Sequence, residues 1–253
     1  MARRGKDIPS PGFLDTMKGR PIRYHRKGEL LLAAGIFLIL LMLNPWADEL
    51  TETNLIFHMF AEHPAFLLGA VISSFGLESL VLSMIASGRR TGIARTITFL
   101  YTRAVLANSR VNAKGRVALP VIAGILVFWH IPNFFDMATL NPPIHALFHF
   151  STIVVGILFF LNLKVLSKID LVKYLIIFDV AMDIYGRILM GITTPIRIYS
   201  AYPLSQQVVV GQVMFLSMIV MLPVLIIYGI VLLIKSDRFR SAAPSVPKES
   251  SVS

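Results

Sequence analysis

The chain of 253 residues is 55% hydrophobic and 15% charged, contains no cysteine and carries a formal net charge of +10. Its mean hydropathy is +0.71 and its apolar residues fall in long blocks, which excludes an ordinary soluble domain, disulfides and thiolate metal sites. The basic surplus is first a topology signal of a membrane protein and not the footprint of a nucleic-acid binder.

The pattern predicts an all-α polytopic transmembrane bundle. Residues 1–28 form a basic cytoplasmic arm, 29–237 a six-span domain, and 238–253 a disordered cytoplasmic tail rich in serine. The spans run from Leu30 to Trp46, Leu55 to Ile85, Val117 to Ala138, Ile144 to Leu166, Leu171 to Ile192 and Gln207 to Ile234. Each covers the ~30 Å hydrocarbon core, the first only just. The arm and first span resemble a secretory signal, but Asn44-Pro45-Trp46-Ala47 is a poor cleavage site, so the span is kept as an anchor.

Of the 24 lysines and arginines, 22 fall in alternate loops or termini; Arg197 is on the opposite side with Asp48, Glu49, Glu52 and Asp136, and Arg187 lies within a span. The positive-inside rule then places both termini in the cytoplasm. Between spans two and three, Ile93, Ile97, Leu100 and Ala104 recur at helical spacing among Arg95, Arg103 and Arg110. The segment at about 89–116 therefore reads as a helix on the inner membrane surface, with a partner-binding loop as the alternative.

With these directions the intramembrane histidines share one layer. His58 and His63 begin span two, His130 lies near the outer end of span three, and His145 and His149 open span four. At 1.5 Å rise per residue all five lie within roughly 12 Å of the outer boundary. His145 and His149, at i and i+4, present two imidazoles on one face, as a metal requires. His58 and His63 are five positions apart, about 140° on an α-helix, so at most one points at the same centre; His63, the deeper, is favoured. The candidate metal set is His63, His130, His145 and His149, for copper or zinc, with Glu62 as a supporting partner of His63. A lone histidine is more often an interhelical hydrogen-bonding residue, but ionisable groups gathered inside a membrane usually mark a site.

Other polar residues offer cofactor contacts. Asp179, Asp183 and Arg187 share one helix face, with Asp183 and Arg187 spaced for an ion pair that is either structural or functional, as a proton path or a clamp on an anionic group such as a haem propionate. Gln207, opening span six, can orient a ligand or bond a neighbouring helix. Met214, Met218 and Met221 make a stripe that reads as packing rather than a Cu(I) site. Glu78 reads as facing the bundle near mid-membrane. No nucleotide-binding loop, HExxH or Ser/His/Asp arrangement occurs, so soluble-type catalysis has no support.

His63, Trp129-His130-Ile131-Pro132, His145-x3-His149, and Gln206-Gln207 followed by Gly211 and Met214 resemble the CtaG family of cytochrome c oxidase assembly factors and similar archaeal membrane proteins of unassigned role. The resemblance covers about residues 55 to 218. It differs where His58 and His63 are five apart instead of four, at Ser205 in place of an acid, and at Phe215 in place of a tryptophan. The resemblance implies a prokaryotic plasma-membrane protein, with lipid around it and a respiratory oxidase or cytochrome complex as partner, that delivers copper or assists oxidase maturation. A b-type haem subunit of an electron-transfer complex fits the same histidines. A structural subunit that anchors an extracytoplasmic partner is the third reading.

Overall fold

A computed structural model describes residues 21–88, 92–191 and 196–241. Most of the basic arm, Arg89 and Arg90, the end of the fifth stretch at Ile192, and the tail from residue 242 lie outside the described residues. Among the described residues there are nine helices and no strand. They divide into two compact units, one of residues up to Val165 with Arg197–Gln207, the other of Leu166–Ile196 with residues from Val208 on.

In the first unit, helix α1 (Pro21–Met42) stops two residues before Asn44-Pro45, where Asn44 caps the short α2 (Pro45–Thr53) by accepting from the Ala47 N–H at 3.1 Å. Proline has no N–H to continue the α1 ladder, so the chain bends by 59°. Asn54 then caps α3 (Leu55–Ala86), accepting from Ile56 and Phe57 N–H. The long helix widens into a π-helical turn over His58–Glu62, closed by the His63 N–H on the His58 carbonyl. Pro64 follows immediately and cannot donate to Phe60, which removes the α-type bond that would oppose the wider turn.

Helix α4 (Gly92–Val111) leads through a 3₁₀ turn to α5 (Ala118–His130), and α7 (Pro142–Leu163) starts at a second Asn-Pro step, capped by Asn141. The third predicted span is not one helix. Ile131 is extended (φ −66°, ψ 126°) and Pro132 begins a separate short helix, α6 (Pro132–Leu140), so the Trp-His-Ile-Pro segment ends α5 outright.

Helices α1 and α3 are antiparallel and meet through glycines. A Cβ on Gly28 would lie 3.0 Å from the Gly76 carbonyl oxygen, and one on Gly69 would lie 2.8 Å from that of Gly35. Small residues at these levels let the two backbones touch. Helices α3 and α7 run in the same direction, with Gly156 against Leu67 and Ala70. Their N-terminal ends therefore carry the histidines together, while their far ends carry a polar node. There Lys164 pairs with Glu78 at 2.5 Å, and the Tyr101 hydroxyl of α4 donates to Glu78 at 2.9 Å. Burial and this acceptor push the Tyr101 phenol above its ordinary range. Glu78 is thus a partnered charge joining three helices. Asn108 donates to the Leu161 carbonyl and Asn112 to Asn162, which fastens α4 further across that end.

The second unit contains α8 (Lys168–Met190) and α9 (Leu204–Ser241), whose first turn belongs to the first unit. Gly186 and Gly211 face each other there in close approach. Much of α9 exposes apolar side chains, including Leu216, Val220 and Ile227.

Among the described residues, four helical segments are long and apolar enough to cross a membrane: Leu55–Ala86, Ala113–His130, Pro142–Leu163 and Leu204–Ile234. The bent pair α1 and α2 makes up to five. Helix α8, the fifth predicted span, falls short on composition because Lys168, Asp170, Lys173, Asp179, Asp183 and Arg187 interrupt its apolar run. These helices and their exposed apolar faces are consistent with a multi-pass membrane protein.

Candidate metal centre

The first two turns of α3 and of α7 bring four imidazoles around one carboxylate. Glu62 is fully buried. Its Oε1 lies 2.9 Å from His149 Nε2 and 3.6 Å from His145 Nε2, and its Oε2 lies 3.1 Å from His58 Nδ1. A carboxylate removed from water is costly unless positive charge or several donors compensate it. Here the compensation comes from three histidines. Glu62 is thus the hub of the cluster and supports His58, His145 and His149 more directly than its neighbour His63.

His58 and His63 both point into this cluster, contrary to the α-helical expectation that only one would. The π turn holds more residues per turn, so positions five apart come round to the same side of the helix, and the two rings stand 4.4 Å apart. His145 and His149 sit 4.2 Å apart, as their i, i+4 spacing requires. His130 lies at the edge, its ring 6.2 Å from that of His63 and its Nδ1 2.6 Å from the Leu126 carbonyl oxygen. The histidines are walled by aromatic rings: Phe148 stacks on His58 at 5.7 Å, Phe66 lies 4.3 Å from His149, and Phe135 4.9 Å from His58.

Several polar atoms here are buried without a hydrogen-bond partner: His58 Nδ1, His63 Nε2, His145 Nε2 and Glu62 Oε2. His58 Nδ1 and Glu62 Oε2 are close but not aligned for a hydrogen bond. Buried nitrogen lone pairs and carboxylate oxygens so placed are what a cation collects. Asp48 joins them from α2. One ligand atom from each of Asp48, Glu62, His145 and His149 lies within 4.8 Å of the others, and His58, Glu62 and His63 form a second such group. Around a tetrahedral ion with bonds of 2.0–2.1 Å, donors stand about 3.4 Å apart. Closure therefore needs modest side-chain shifts.

Residues 197–207 are pinned beside the cluster by a dense hydrogen-bond set. Gln207 Oε1 accepts from Ile198 and Tyr199 N–H at 2.9 and 3.0 Å, and its Nε2 donates to the Tyr199 and Tyr202 carbonyls, both at 2.9 Å. The Gln207 amide is thereby fully used and leaves nothing for a cofactor. Gln206 does the same toward α2 and α3, accepting from Leu55 N–H and donating to the Thr53 carbonyl. Asp136 accepts from Ser200 and Ala201. The Tyr199 hydroxyl donates to the His130 carbonyl at 3.2 Å, and that of Tyr202 to the Thr51 carbonyl at 2.5 Å. Burial pushes the Tyr202 phenol above its usual range, so it remains a neutral donor.

Asp183 and Arg187 belong to the second unit, where they form an ion pair at 2.9 Å with the guanidinium over the Phe215 ring at 4.6 Å. Sequence reasoning passed over Asp48 and the two tyrosines and set His58 aside. The signals were present, in the acid three residues beyond an Asn-Pro step and in the His-x4-His spacing just before a proline.

A family described as proteins of unknown function, DUF1404, matches residues 33–235, and the chain belongs to it. No curated protein and no solved structure matches the chain.

Proposed function

We propose that this protein binds a copper or zinc ion at the histidine end of its first unit. The carrying observation is Glu62, wholly buried, with imidazole nitrogens of His58, His145 and His149 within 3.6 Å. Imidazole and carboxylate donors without thiolate suit zinc or copper(II) better than copper(I). The close ring packing around Glu62 favours an ion over a haem, whose macrocycle needs an open slot between its axial ligands.

On this reading the chain has six spans, both termini in the cytoplasm of a prokaryote and the ion near the outer face. The asymmetry of the basic residues supports that orientation. The likeness to CtaG assembly factors extends the reading to copper handling or oxidase maturation in a respiratory membrane. Metal analysis of the purified protein is the test: His149→Ala should lose the ion, while His25→Ala, far along the chain and paired with Glu29, should keep it. Equal metal in both variants overturns the proposal. A strong Soret band in the wild type would replace the ion with haem.

A further inference from the structure

We propose that the cluster is a two-ion centre in which Glu62 is the bridging carboxylate; this rests on the metal-binding reading above. The donors fall into two groups that share no residue but Glu62. Asp48, His145 and His149 gather on one side and His58 and His63 on the other. The carboxylate itself is divided between them, since Oε1 faces His145 and His149 while Oε2 faces His58. A single four-coordinate ion cannot use all six side chains. It would leave two or more imidazole or carboxylate groups buried and unsatisfied, at a cost that a second ion removes.

The two halves are unequal. The Oε1 side supplies four protein donors, enough to close a tetrahedral site. The Oε2 side supplies three, His58, His63 and the Glu62 oxygen, and so retains an open position of the kind found where ions exchange or substrates bind. Both of its nitrogens, Nδ1 of His58 and Nε2 of His63, lack a hydrogen-bond partner, whereas on the other side His149 Nε2 is bonded to Glu62 and only His145 Nε2 is without one. Two oxygens of one carboxylate typically hold a metal pair about 3.5–4 Å apart. Two divalent ions exceed the charge of Asp48 and Glu62 by two, so the open position takes an anionic ligand, hydroxide or a small carboxylate. The π turn at His58–Glu62 is the device that creates the second half, because it turns His58 and His63 to the same side as Glu62.

The test uses the full-length protein in detergent, stripped with a chelator and reloaded with zinc(II), or with copper(II) for spectroscopy. Ions per chain are counted by mass spectrometry. Two ions are expected in the wild type and one in His63→Ala, which leaves its side only two donors; Asp48→Ala, which leaves three, should keep two ions but bind one of them more weakly. The copper(II) form should show the paramagnetic signature of coupled ions, which His63→Ala converts into that of an isolated ion. One ion in the wild type overturns the two-ion centre and leaves the single-ion reading standing. No bound ion overturns both. Two ions that persist in His63→Ala place the second ion elsewhere and also overturn the proposal.

Discussion

The His63 N–H closes a π turn on the His58 carbonyl, and the two imidazoles stand 4.4 Å apart on one side of α3. A π turn is an α-helix with one residue inserted. Removing Ala61 should therefore restore an α turn in which the two histidines, now four apart, still share a face, and bound metal should persist. Inserting an alanine after Ala61 should separate them and lower metal content by at least half. Metal analysis of the two variants decides it, and retention in the insertion variant would show that the turn is irrelevant to the site.

Glu62 should be the least replaceable residue of the cluster. Glu62→Leu removes the acceptor of the His149 imidazole, which costs about 1–3 kcal/mol if left unpaired, and also the carboxylate that faces His58 and His145. Thermal unfolding should fall markedly and metal should be absent. Glu62→Gln keeps the shape and part of the hydrogen bonding, so it should recover much of the stability without recovering the metal. Equal losses in both variants would mean that the negative charge alone, and neither the shape nor the hydrogen bonding of the side chain, holds the cluster.

Gln207→Ala leaves the N–H groups of Ile198 and Tyr199 without their side-chain acceptor, while the carbonyls of Tyr199 and Tyr202 keep only the Arg197 Nε–H. The loss should be about 1–3 kcal/mol for each group that water cannot reach. Hydrogen exchange should rise across residues 197–203 and stay unchanged at the Glu78–Lys164 end. Uniform protection in the variant would show that the segment is held by Asp136 and by the Arg197 guanidinium, which donates to the Tyr199, Ser200 and Tyr202 carbonyls.

The gathering of the histidines at one end of α3, α5 and α7 was legible in the sequence, where the alternation of basic segments and the 1.5 Å helical rise set them at one level. His63, His130, His145 and His149 follow from those alone. The same regularity hid His58, since 100° per residue holds only while the helix stays α, and a π turn is a local departure that Pro64 permits without announcing. Asp48 was hidden differently. As a loop acid it carries a topological meaning, and only the 59° bend at Asn44-Pro45 turns α2 back toward the cluster. The contact between Glu62 and His149 joins residues 87 apart in the chain, which local spacing cannot reveal.

The glycine contact between α1 and α3 predicts a steric effect. Gly35→Leu places side-chain atoms where the α3 backbone and Ser73 already lie, and should cost about 1–3 kcal/mol or separate the two helices. Gly124→Leu on α5 meets nothing within 4 Å of its Cβ and should leave the thermal midpoint unchanged. Similar midpoints for both variants would remove the close approach of α1 and α3.

Membrane orientation can be tested because the chain contains no cysteine to interfere. Ser109 lies near the end of α4 and is exposed, while Glu49 on α2 is exposed at the histidine end; Ala47, its neighbour, is fully buried and unsuitable for labelling. The basic residues Arg95, Arg103, Arg110, Lys114 and Arg116 cluster with Ser109, and the acids Asp48 and Glu52 cluster with Glu49. The positive-inside rule then puts Ser109 in the cytoplasm and Glu49 outside. In intact cells an impermeant thiol reagent should modify Glu49→Cys and spare Ser109→Cys, and both should react once the membrane is opened. The reverse pattern would put the histidine cluster on the cytoplasmic side, so that any ion it holds would be drawn from the cytoplasm.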